Sequence, residues 1–167
     1  MMDLLKGLEE SGFGTWVRQS NSLFAFPGIL FCHTIGMALV AGTSALISLR
    51  VLGVASEVPL QAMERLYPYM WSGFLLNACS GAMLFIPEAS VKGISPVFYT
   101  KMTFIAVAIM LMVRIRNRVL RDPLTGKDPV RLNAKILAWA AIFCWLAAIT
   151  AGRLLAYVGP GTDSTLG

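Results

Sequence analysis

Charge is scarce in this sequence. Only 14% of its residues are Asp, Glu, Lys or Arg, against 56% hydrophobic, too few ions to coat a water-soluble domain. Histidine occurs once, at His33, and Cys32, Cys79 and Cys144 form no C-x-x-C pair, so no disulfide framework is expected. There is no nucleophile beside a base, no pair of carboxylates and no phosphate-cradling loop, and nothing supports hydrolysis. Residues 1–10 hold Lys6 against Asp3, Glu9 and Glu10, which is not the basic start of a cleaved signal peptide. Internal repeats, low-complexity tracts and domain linkers are also missing.

What is present are long apolar runs. Across 167 residues the mean hydropathy is +0.68, and about 20 apolar residues suffice to cross a bilayer. Four spans are predicted, at Pro27 to Arg50, Tyr67 to Ile86, Val97 to Val113 and Ala134 to Val158. Pro27 opens the first of them, where its missing N–H has no partner to lose. The expected fold class is all-α, an integral membrane four-helix antiparallel bundle with an amino-terminal interfacial helix. Residues 1–26 form an amphipathic interfacial segment, with Leu4, Leu5 and Leu8 on one helical face. Residues 27–158 form the four-span domain, and 159–167 a disordered tail. Tyr67, Tyr69 and Trp71 read as an aromatic cluster at a headgroup boundary, and the helix of the third span is expected to project from the membrane through Arg114, Arg116 and Arg118.

The charge that remains is unevenly placed. Seven of the fourteen Lys and Arg residues fall between Arg114 and Lys135, against only Asp122 and Asp128, so this stretch alone carries the whole net charge of +5. A basic loop between spans belongs on the cytoplasmic side of a bilayer rather than on nucleic acid. With that loop inside, both termini lie outside, which in a Gram-negative cell is the periplasm. Nine basic residues then fall on the inner side and five on the outer.

A rise of 1.5 Å per residue places the polar span residues by depth. His33 lies about 9 Å below the outer start of span one. Asn77 and Ser80 occupy the outer half of span two, Lys101 is about a turn into span three, and Arg153 is just over a turn from the outer end of span four. All four spans converge on one layer. Ionisable groups inside a membrane face a cavity, a partner or a ligand, which makes His33, Lys101 and Arg153, with Asn77 and Ser80, the candidate cofactor-binding residues. Two simpler readings stand beside this one. Lys101 and Arg153 are close enough to the boundary to snorkel, and His33 could be satisfied by a hydroxyl such as Ser80 or Thr34.

As a ligand site, one imidazole and two cations suit a b-type haem, with propionates on the cations, or a quinone whose carbonyl they polarise. With a single histidine, a second axial ligand would come from a methionine such as Met37 or Met102, or from another subunit. Copper is an alternative: Met37, four residues after His33, shares its helical face, although Cys32 is turned about 100° away. Glu88, beside Pro87 at a span end, reads as a cap or a salt-bridge partner. Arg50 and Arg65 read as anchors. Gly73, Asn77 and Gly81 at intervals of four, and Ala148 with Gly152, read as packing faces for close helix approach.

The segments Phe31-Cys-His33-Thr-Ile-Gly36, Ser48-Leu-Arg50-Val-Leu-Gly53, Ser80-Gly-Ala-Met-Leu-Phe85 and Phe98-Tyr-Thr-Lys101-Met102 resemble a group of small bacterial inner-membrane proteins without assigned function. These in turn distantly resemble the membrane domain of the CopD copper-resistance family, whose first helices also carry a histidine followed by small residues. The resemblance implies a metal or haem role for His33 and marks Arg50 and Lys101 as positions the group uses.

The function expected from these residues is a membrane subunit that binds haem or quinone near the outer face and serves electron transfer, possessing no complete catalytic constellation of its own but suited to a membrane oxidoreductase. The alternatives are a non-catalytic structural or assembly subunit and a copper or small-solute transporter. Besides the lipid bilayer, a homo-oligomer or other membrane subunits are the expected partners. The orientation is directly testable. Reporter fusions after Thr125 are expected to be active only with a cytoplasmic reporter, and periplasmic activity there would reverse the topology.

Overall fold

The computed structural model describes residues 2–121 and 132–157; residues 122–131 of the basic stretch Arg114 to Lys135, Val158 and the tail 159–167 lie outside them. Four helical stretches are long and apolar enough to cross a membrane, and the chain is a multi-pass membrane protein. In hydrocarbon the backbone must satisfy its own hydrogen bonds, and among the described residues it does so with helices and no strands. Two short helices, α1 (Met2–Glu9) and α2 (Gly12–Gln19), precede the first spanning helix, α3 (Phe26–Leu52). A 3-10 helix at Leu60–Leu66 leads into α4 (Tyr67–Phe85), the short α5 (Ala89–Lys92) follows a turn at Ile86–Glu88, and α6 (Pro96–Ile115) and α7 (Leu132–Tyr157) complete the bundle.

The helix ends follow local chemistry. Pro27, Pro68 and Pro96 stand in the first turns of α3, α4 and α6, where proline costs no hydrogen bond. Gly53 closes α3 in the left-handed conformation, φ 107°, with Val54 N–H donating to the Leu49 carbonyl at 3.0 Å, the arrangement glycine permits most cheaply. Arg50 then braces the following turn by donating to the carbonyls of Ser56 and Val58. Beyond α6 the chain runs on as a single π-helical turn, Arg116–Leu120.

The bundle is built from two hairpins, α3 with α4 and α6 with α7, joined along α3 and α7. Facing α4 and α6 meet chiefly through side chains: Phe85 packs on Phe98 with ring centroids 5.2 Å apart, and the Tyr67 hydroxyl donates to the Met112 carbonyl at 2.7 Å. The main core runs from Val40 and Met70 through Ala108, Met112 and Ala141 to Ile115 and Leu120.

Two expectations change. Tyr69 and Trp71 are exposed as an interfacial pair should be, but Tyr67 is 1% exposed; its ring is stacked under Arg116, 5.0 Å from centroid to guanidinium carbon, and its hydroxyl is held by α6. Arg116 does not project freely either, because Glu64 pairs with it at 3.1 Å and with Arg121 at 2.7 Å.

The amino-terminal segment is two helices rather than one, since Ser11 interrupts it and caps α2 by accepting from Gly14 N–H. The three leucines of α1 also divide: Leu5 lies against Gly93, while Leu4 and Leu8 are exposed. Glu9 fastens the pair to the bundle, accepting from the Ser90 N–H and hydroxyl on α5 and pairing with Arg18 at 3.0 Å. Val17 of α2 packs with Ile29 of α3 and Leu84 of α4.

Donation by Ser90, more than the neighbouring Arg18, holds the Glu9 carboxyl below its ordinary value of 4.5. A depressed carboxyl stabilises docking above the unfolded pKa and loses that contribution as pH falls through the folded one. Docking of α1 and α2 should therefore be complete above pH 4.5 and weaken below it, read as faster amide exchange in α1. Glu9→Gln should exchange faster at neutral pH and lose the acid dependence; an unchanged profile would refute the role of Glu9.

Candidate functional site

The site is set by how closely α3 and α4 approach. A Cβ on Gly36 would stand 2.6 Å from the Asn77 nitrogen, and one on Gly73 would stand 2.8 Å from the Val40 nitrogen. Each distance is to backbone, which cannot swing away, so these two positions exclude any side chain. Lipid chains are as apolar as the helices, and association in a membrane relies on such contact together with interhelical hydrogen bonds.

Those bonds are supplied by His33 and Asn77. The Asn77 amide donates to the His33 carbonyl at 2.9 Å, and His33 Nδ1 lies 3.1 Å from both the Asn77 carbonyl and the Ser80 hydroxyl. A carbonyl can only accept, and the Ser80 hydroxyl proton is given to the Leu76 carbonyl at 2.6 Å. Both neighbours of Nδ1 are therefore acceptors, so Nδ1 carries the proton. In the neutral ring this leaves the lone pair on Nε2, the tautomer that a carbonyl partner imposes on ligating histidines. Ser80, rather than Thr34, is the hydroxyl involved; Thr34 donates to the Leu30 carbonyl in its own helix.

Small residues seat the ionisable ones. Gly81 lies under the imidazole, where a Cβ would be 3.1 Å from His33 Cε1, and Gly152 lies under Lys101, where a Cβ would be 3.5 Å from Cε and 3.6 Å from Nζ. Lys101 is half-buried, within electrostatic reach of His33, and its ammonium makes no hydrogen bond or ion pair among the described residues. Lys92, absent from the sequence-based site, also acts on His33 electrostatically. It donates to the Leu84 carbonyl at 2.8 Å and pairs with Glu88 at 3.0 Å, confirming Glu88 as a salt-bridge partner; the spacing of four residues was the available signal.

Of the expected residues, His33, Asn77 and Ser80 are in direct contact and Lys101 stands nearby. Arg153 is exposed and bonds to none of them. Met37 is half-buried one turn from His33, Met102 is exposed, and Cys32 and Cys79 are exposed free thiols. No cluster of three or more His, Cys, Asp or Glu suited to a metal occurs among the described residues. No protein-family model, curated protein or solved structure matches the chain.

The glycine contacts generate a stability test. Gly36→Val should destabilise the bundle by about 1–3 kcal/mol or more, because overpacking here forces two backbones apart, whereas Gly42→Val, at a position open to its surroundings, should be near neutral. Thermal unfolding in detergent measures both, and equal effects would refute the crossing as the tight point.

Proposed function

We propose that this chain is an integral membrane subunit that binds an electron-carrying ligand at the His33 layer near the outer face and serves membrane electron transfer, with a quinone favoured over b-type haem. The observation that carries the reading is the placement of His33 Nδ1 at 3.1 Å from both the Asn77 carbonyl and the Ser80 hydroxyl. Nδ1–H is committed to Asn77 and Ser80, so Nε2 can accept a hydrogen bond and then a proton from a quinol hydroxyl. Lys101 offers ammonium donors to the other oxygen of such a ligand. Haem fits this chain less well on its own. Met37 sits on the same helix as His33, one turn away, and Met102 is turned outward, so neither stands opposite the imidazole to complete an axial pair, and another subunit would supply that ligand.

In the same reading the chain works within a membrane oxidoreductase, as a homo-oligomer or beside other subunits, in a bacterial inner membrane. The ends carrying α1 and α2 face the periplasm, and Arg50, Arg114, Arg116, Arg118 and Arg121 gather at the cytoplasmic end. The likeness to CopD proteins and the copper alternative belong to the same histidine, but Cys32, its adjacent soft donor, faces outward.

The reciprocal His33–Asn77 bonds favour a second reading, a structural subunit whose histidine only joins α3 to α4. Isosteric replacement separates the two. In His33→Asn the amide can replace the Nδ1–H donor while Nε2 is lost. Under the ligand reading His33→Asn keeps thermal stability within about 1 kcal/mol of the native protein and loses quinone, assayed by solvent extraction of protein purified in native-lipid discs, while His33→Ala loses both. Native protein free of quinone, and of any Soret band, after reconstitution with either ligand would leave the structural reading.

A further inference from the structure

Where the amino-terminal helices meet the bundle, α2, residues 20–22, the first turn of α3 and the turn at Pro87 and Glu88 enclose a cleft of about 430 Å³, within the size range of small-ligand sites. Its polar lining carries both signs of charge, Arg18 on α2 and Glu88 on the turn after α4. Arg18 uses one terminal nitrogen for Glu9, leaving the rest of the guanidinium fork unassigned. Ser20 and Ser22 accept from the N–H groups of Ser22 and Phe24 at 3.1 and 3.3 Å, which leaves both hydroxyl protons free to donate. Glu88 pairs with Lys92 through one oxygen and keeps the second. The next residues along the chain, Leu23 and Phe24, are 80% and 84% exposed, placed as apolar and aromatic anchors are at a bilayer surface.

We propose that this cleft binds the headgroup of a phospholipid carrying a primary ammonium, its phosphate held by Arg18 with the Ser20 and Ser22 hydroxyls and its ammonium by Glu88, the acyl chains leaving along Leu23 and Phe24. Charge complementarity selects this occupant. A glycerol headgroup offers the Glu88 oxygen only neutral hydroxyl donors, weaker than an ammonium, and a quaternary ammonium has no N–H to donate to it. The site is separate from the His33 layer, and its test does not depend on the ligand proposed there.

Native mass spectrometry of the full chain released from discs of equal phosphatidylethanolamine, phosphatidylcholine and phosphatidylglycerol reads the retained lipid directly. One phosphatidylethanolamine should be retained about tenfold more than either competitor, the discrimination of one charge-assisted hydrogen bond. Glu88→Gln should abolish the preference over phosphatidylcholine, and Ser20→Ala with Ser22→Ala should lower retention of all three lipids, with unchanged helix content by circular dichroism in both variants. Equal retention of the three lipids by the native protein, a preference for phosphatidylglycerol, or an intact phosphatidylethanolamine preference in Glu88→Gln would overturn the proposal.

Discussion

Contact between the backbones of α3 and α4 at Gly36 and Gly73 is the constraint on which the amino-terminal half of the bundle depends. Side chains at either position would drive the helices apart, and with them the short bonds between His33, Asn77 and Ser80. In a soluble protein burial of apolar surface could hold a looser pair together; between lipid chains it contributes little, so proximity and hydrogen bonding carry the association. The same contact determines the chemistry of the imidazole, because only at this separation does the Asn77 carbonyl meet Nδ1.

Elements whose cause is local were legible in the sequence. Runs of apolar residues disclose the four spans, Pro27 marks the start of α3, and a common depth for His33, Asn77 and Ser80 anticipates their contact, since rise per residue is fixed along any helix. Glycines 73, 81 and 152 were recognisable as packing positions, and the structure adds that two of them seat His33 and Lys101. Relations between distant segments were not legible. Glu9 meets Ser90 across 81 residues of chain, so a single interfacial helix was the natural reading of a segment that is a docked pair. Tyr67 resembles its neighbours Tyr69 and Trp71 in composition, and only the position of α6 separates the buried ring from the exposed ones. Depth likewise placed Arg153 in the layer but carried no information on which way α7 turns it.

The cleft and the histidine lie on one seam. Phe26 precedes His33 by seven residues on α3, and Pro87 and Glu88, in the turn that follows α4, come seven residues after Ser80 and Gly81, so the linings repeat about two turns apart. Between the two levels stand Ile29 and Leu84, with Val17 of α2 packed on them. Helix α2 thus lines the cleft with Val17 and Arg18 and packs Val17 on the level between the cleft and the imidazole, while Glu9 of α1 ties the pair to α5.

Construction from two hairpins has a consequence for how the chain enters a membrane. A helix that carries a histidine or a lysine into hydrocarbon alone must shield it alone. Here the imidazole proton is taken by α4, the immediate successor of α3, and the stem of Lys101 rests on Gly152 of α7, the next spanning helix after α6. Each hairpin therefore contains the contacts of its own polar residue, the α4 acceptors for the His33 imidazole and the Gly152 seat for the Lys101 stem, and none of these contacts waits on the pairing of α3 with α7.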